Sequence, residues 1–295
     1  MTGVLAQIGS FFNTYLYISV AHAATEASEH AVEEGAHAAE AAASHGSGIH
    51  VVLKAEEVFN ILGFPVTNSL IMTVITTVLL LAFAYAVRSK LSMIPGKLQA
   101  GVEMLFQGVL NYMAETLESE KLARKFFPLI MTIFLFVFLA NQLAFVPGVG
   151  SIGIDNGHGG LTPLLRAPAA DLNMTLALAI ISFLVIEISG VVILGFFKYA
   201  GKYINFNSPI DFAVGLIELV SNIGRLISFS FRLFGNVFAG EVMLVVVGFF
   251  VAYLLPVPLM AFEVFVGFIQ AVVFSMLTLF FIKLSIMEPH GQEAH

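Results

Sequence analysis

Arg232 stands near the middle of an apolar, helix-compatible run, residues 226–250, and no carboxylate follows it in the chain before Glu241. A charge at the centre of a bilayer costs roughly 2.5–3.5 kcal/mol on insertion scales, and an arginine cannot shed its proton to avoid that cost. The guanidinium must therefore face a polar cavity or a carboxylate supplied by another helix. Glu218, Ser221, Arg225, Ser228, Arg232 and Asn236 recur at steps of three or four, which sets them on one helix face. Glu241 continues the line with a small offset, and further on Glu263, Gly267, Gln270, Phe274 and Thr278 step in the same way. A lone serine or asparagine at such a place is usually a helix-packing contact. A face carrying carboxylates and an arginine points instead to the handling of ions.

Position along the run sorts these groups. Glu218 lies 14 residues before Arg232, and Glu241 lies nine after it. Glu263 falls just past the next turn, on the same side as Glu241. The arginine thus divides one carboxylate from a pair. It blocks direct passage of a proton and keeps any approaching carboxylate ionised.

The elements that must hold these residues are membrane helices. Of the 295 residues, 58% are hydrophobic and 11% charged, and the mean hydropathy is +0.93. The chain therefore reads as an all-α polytopic membrane protein. Residues 67–87, 126–146 and 172–197 are each long enough to cross about 30 Å of hydrocarbon. Two longer stretches follow, from about 209 to 255 and from 259 to 287. The first would be near 70 Å as one helix, which ordinary tilts of about 20° cannot absorb. The last two helices are thus expected as a long, strongly tilted hairpin, giving five membrane-embedded helices in all. Before the second span, Val102, Leu105, Phe106, Val109, Leu110 and Met113 repeat at helical spacing. That helix is too polar to span and is expected to lie along the interface. The Gly- and Pro-rich stretch 147–170 reads as an irregular outer loop.

Charge gives an orientation. Of the 13 Lys and Arg residues, Lys54 and Arg166 flank the spans on one side. Arg88, Lys90, Lys97, Lys121, Arg124, Lys125, Lys198, Lys202 and Lys283 fall on the other, which the positive-inside rule makes cytoplasmic. The N-terminus is then outside and the C-terminus inside. Residues 1–60 form an outer segment, 61–290 the membrane domain and 291–295 a cytoplasmic tail. Within the first segment, an apolar stretch before Ala21-His22-Ala23 resembles a signal-peptidase site. His30, His37, His45 and His50 fit no metal-ligand spacing, and a solvated tail is the better account. The chain has no cysteine, which excludes disulfides and thiol chemistry. It has no basic patch for nucleic acid and no GxxxxGK[ST] loop for ATP. No cofactor is implied.

The block FRLFGNVFAGE at residues 231–241, with LIELVSNIGRLISFS before it and FIQAVVF after it, resembles subunit a of F-type ATP synthases. The likeness extends to IPGKLQ, FLANQLAFVPG and PAADLNMTLALA, and covers about residues 66–288. It implies a non-catalytic stator subunit in the bacterial plasma membrane or an equivalent energy-transducing membrane. The expected partners are a ring of c subunits, b-type peripheral stalk subunits, the rest of the synthase and lipid. In that family the arginine faces the ring carboxylate between two offset half-channels, so Arg232 takes its place. Glu218 and Ser221 would line the inner half-channel. Ser228 matches a family serine, and Arg225 an often basic position near the cytoplasmic interface. Asn236, Glu241 and Gln270 take polar positions near the arginine and toward the outer half-channel. Asn141, Asp171 and Asn173 match polar positions of the outer vestibule. For Asp171 a helix N-cap is an equal alternative.

Glu263 stands where several relatives carry histidine. With Glu241 it would give the outer path two carboxylates, and close carboxylates tend to share a proton, which suits a relay. Ala144 replaces an acidic residue of some relatives. Glu187 has no family role; it would line the inner path or meet a neighbouring subunit. The readings from other classes are a stand-alone ion channel or carrier, and a purely structural scaffold.

Overall fold

The helices begin and end where the sequence supplies prolines, glycines and polar caps. A computed structural model describes residues 55–61, 64–89, 91, 96–146, 149, 153–155, 161–203, 209–250 and 254–287. The expected signal-like segment, the histidine-rich tract and the C-terminal tail lie outside these residues.

A short antiparallel hairpin, β1 (Glu57–Ile61) and β2 (Phe64–Thr67), leads straight into α1 (Asn68–Ser89). Helix α1 buries only Asn68, Ser69, Met72 and Thr76, all near its start. Its remaining length, with Val74, Val78 and Leu81 exposed, presents apolar surface suited to lipid. Helix α2 (Lys97–Leu117) follows Gly96 and ends at Glu118, which adopts the left-handed conformation of a C-cap. Ser119 then caps α3 (Glu120–Leu143) by accepting from the Leu122 amide. Lys283 Nζ donates to Glu118 Oε1 at 2.8 Å, fastening this junction to the end of the last helix. That pair holds the Glu118 carboxyl below its ordinary range.

The described part of the loop between α3 and α4 is more regular than its composition suggested. A second hairpin pairs β3 (Gly153–Asp155) with β4 (Leu161–Pro163), and a 3-10 turn (Pro168–Ala170) precedes α4 (Leu172–Leu194). Backbone pairing within the loop outweighed its glycine content. After α4 the chain turns at Gly195, where φ is 85°, a conformation costly for any other residue. It then forms a separate short helix, α5 (Phe196–Tyr203), whose first two residues had been read as the end of the third span.

Helix α6 (Pro209–Phe250) runs 42 residues without a break, about 63 Å at 1.5 Å per residue. Helix α7 (Pro256–Ile286) starts earlier than expected. Pro256 and Pro258 occupy its first turn, where their missing amide protons cost nothing, so they begin the helix rather than delay it. The five spans are therefore α1, α3, α4, α6 and α7. The chain is an all-α polytopic membrane protein, with two small hairpins added.

Two apolar clusters set the packing. One joins Ile133 and Val137 of α3, Leu178 and Ala179 of α4, Phe229, Leu233 and Val237 of α6, and Ala271 and Phe274 of α7. The other joins Met113 and Leu117 of α2 with Ala123, Phe126 and Ile130 of α3, Ile186 of α4, and Leu279 and Ile282 of α7. The amphipathic face of α2 is thus used at its C-terminal half. Toward its start, Met104 and Leu105 are exposed.

Candidate functional site

Helix α6 supplies the central residue. Its inward face buries Asn222, Phe229, Leu233 and Val237, while Leu216, Val220, Ile223, Ile227 and Phe231 point outward. Glu218, Arg225, Ser228, Arg232, Asn236 and Glu241 are half-buried and Ser221 is exposed. The polar line therefore runs along the border between the packed face and the open face. Gly224 lies on the open face with nothing within 4 Å of where a Cβ would stand, which leaves a dent there.

Arg232 sits 23 residues after the start of α6 and 18 before its end. Its Nη2 donates to Ser228 Oγ at 3.4 Å, and its buried Nε has no partner. Among the described residues no carboxylate pairs with it. A hydrogen bond to a charged group contributes at most about 1.5–3 kcal/mol, and this one is long. Ser228 alone does not offset the cost of the charge.

On the side toward the end of α6, three helices meet. Glu263 on α7 is buried, and its carboxyl packs against Gly240, where a Cβ would overlap Glu263 Oε2. Gly267, one turn on, lets α7 approach α3 at Asn141. Asn141 Nδ2 donates to the Gly267 carbonyl at 3.1 Å, and Gln142 Nε2 to that of Val264 at 3.0 Å. Asn141 Oδ1 and Gln270 Nε2 are buried without partners. Such atoms are costly in a dry core and natural along a polar path. The expected face of α7, Glu263 through Thr278, is buried throughout.

Glu241 has a cationic partner not expected from sequence. Arg166, from the loop before α4, reaches Glu241 Oε2 through Nη2 at 3.3 Å. The two are 75 residues apart, so sequence spacing gave no signal of the pair.

Asp171 and Asn173 fall elsewhere. Asp171 accepts from the Asn173 amide at 3.0 Å as the N-cap of α4, and from Ser69 Oγ at 2.6 Å. Asn68 Nδ2 donates to the Pro163 carbonyl at 3.2 Å. These contacts fasten α1 to α4 and to the hairpin β3–β4. Asn173 itself is exposed.

On the other side of Arg232, a cavity of about 480 Å³ is lined by Glu187, Tyr199, Tyr203, Glu218, Ser221 and Arg225, with apolar residues of α6 and α7. Arg225 packs on an aromatic ring of α7. Its guanidinium lies 4.8 Å from the centre of the Phe281 ring, a cation–π contact. Glu187, expected to line the inner path or meet a neighbouring subunit, lies on this cavity and is tied to α5 and α6. Tyr199 Oη donates to Glu187 Oε2 at 2.8 Å, and Asn222 Nδ2 to Oε1 at 3.4 Å. The i, i+4 spacing of Tyr199 and Tyr203 was the available signal, but the third expected span stopped at residue 197 and no helix was assigned beyond it.

With this arrangement in view, the comparison with known proteins is direct: the ATP synthase A chain family matches residues 70–283. The chain belongs to the ATP synthase A chain family. Every candidate residue from Asn141 to Gln270 falls within the matched segment. It resembles the ATP synthase subunit a of Campylobacter concisus, 34% identical over 207 residues, covering 69% of this chain and 83% of that one. The ATP synthase subunit a of Helicobacter pylori is 32% identical over 241 residues, covering 79% and 98%. That of Campylobacter jejuni is 36% identical over 191 residues, covering 64% and 76%. In this member of the family the polar residues of α6 thus divide into two groups on either side of Arg232.

Proposed function

We propose that this chain is the membrane stator subunit of a rotary ATP synthase, coupling proton flow across the membrane to rotation of a ring of c subunits. The observation that carries the reading is Arg232: a guanidinium at mid-span, at the edge of the open face of α6, with no carboxylate partner among the described residues. Two unit charges about 4 Å apart attract by about 4 kcal/mol at an effective dielectric constant near 20. A ring carboxylate opposite Arg232 would therefore roughly offset the arginine's insertion cost, which Ser228 does not. The dent at Gly224 on the same face suits close approach of a partner helix.

The division of the remaining polar groups supports two offset half-channels. Glu263, Glu241, Gln270 and Asn141 form the outer path, with Arg166 balancing Glu241. Ser221 and Glu218, about 21 Å from Arg232 for the latter along the helix, form the inner path. Asn236 and Ser228 flank the arginine within about one turn. A proton enters by the outer path, neutralises a ring carboxylate and rides with the ring. On release it leaves by the inner path, and the ionised carboxylate then meets Arg232. The fixed charge prevents a proton from passing directly between the paths. Asp171 serves as a cap at the outer end, and Asn173 lies at the vestibule.

The excess of lysine and arginine at one set of helix ends makes that side cytoplasmic. The b-type stalk subunits would hold the chain still against the ring. Liposomes containing this chain alone should carry no steady proton current, measured with an entrapped pH dye. Sustained flux from the isolated chain would establish a stand-alone channel instead.

A further inference from the structure

The cluster at the inner cavity goes beyond the residues assigned above. Glu187 lies seven residues before the end of α4, about 10 Å along the helix. A carboxylate at that depth is expensive unless it is hydrogen-bonded. The neighbours are arranged for a carboxylate. Tyr199, Tyr203 and Asn222 all point donors at it, with Tyr203 Oη 3.4 Å from Glu187 Oε2. Asn222 Nδ2 also donates to Tyr203 Oη at 2.6 Å. Burial raises both tyrosines above their ordinary range. The groups that share this wall are Tyr199 and Tyr203 from α5, Glu218 and Arg225 from α6, and the hydroxyl of Ser285 from α7. The cavity has room for several waters.

We propose that Glu187 is a second proton-receiving carboxylate of the inner path, held at the cavity wall by Tyr199, Tyr203 and Asn222 and working beside Glu218. The proposal rests on the stator reading above. A proton taken from water binds one carboxylate oxygen of Glu187 and is later returned to water or passed to Glu218; no other bond changes. Two carboxylates on one cavity raise the chance that a proton is captured when protons are scarce.

The test uses inverted membrane vesicles carrying the whole complex, in which the inner path opens to the medium. Glu187→Gln keeps the shape and loses the titratable group. A positioned proton-transfer group typically contributes a hundredfold or more; because Glu218 remains, the expected fall in ATP-driven proton uptake is about tenfold. The loss should grow as the medium becomes alkaline, Glu187→Asp should recover part of the rate, and the amount of assembled complex should be unchanged. Wild-type rate and pH profile in Glu187→Gln would overturn the proposal. So would losses in both variants that merely track reduced assembly, since Glu187 would then be only a tie. If Glu187→Gln fails to assemble, Glu187→Asp decides, and an unshifted pH profile overturns the proposal. Arg232→Ala in the same vesicles separates the claims. If it abolishes uptake while Glu187→Gln changes nothing, only this inference falls; if it leaves coupled uptake intact, the stator reading falls as well.

Discussion

Glu263 has the most sharply defined surroundings of the proposed site residues. It is buried on α7, packed on the bare backbone of Gly240, and pairs with no cation among the described residues. Glu241, close by, has Arg166. The two carboxylates are therefore unequal, one balanced by an arginine and one without a cationic partner among the described residues. Expectation from sequence treated them as a like-charged pair; Arg166, distant in the chain, changes that picture. We expect Glu263→Gln to slow proton transport through the assembled complex, increasingly so as pH rises, in a vesicle acidification assay. An unchanged rate at every pH would reduce Glu263 to a packing residue. Arg232 and the periodic lines of α6 and α7 were legible at this scale because helical spacing alone defines them. The Glu241–Arg166 pair and the donors around Glu187 were not, because they join residues from separate elements.

At the scale of elements, prolines, caps and apolar period placed all five spans, with errors only where local chemistry was misread. The prolines at 256 and 258 start α7, and the glycine at 195 divides α4 from α5. That division matters for the site. Helix α5 folds back so that Tyr199 lies against Gly190, and a Cβ at Gly190 would overlap the tyrosine ring. An aromatic ring cannot swing aside as a flexible chain end can. Gly190→Ala should therefore lift α5 and cost about 1–3 kcal/mol through overpacking, seen as a lower midpoint in thermal unfolding of the detergent-solubilised complex. An unaltered midpoint would mean that α5 is not seated on α4 as described. The hairpin β3–β4 was invisible in the sequence because its strands are three residues each, too short for an alternating pattern to register.

For the whole molecule, the helices matter less as a closed bundle than as a wall with one open face. Apolar clusters join α2, α3, α4, α6 and α7, while the outward side of α6 stays unpacked along Leu216, Val220, Ile227 and Phe231. The polar line follows the edge of that open side, where a moving partner can reach it without entering the core. On the proposed reading, this arrangement suits a device that works with a ring rather than a pore that conducts alone. The most direct measurement is Arg232→Ala in the complete complex, following ATP synthesis and ATP-driven proton pumping together. The account predicts that both are lost while the complex still assembles, with protons leaking passively between the two paths. Coupled synthesis at wild-type yield would contradict it.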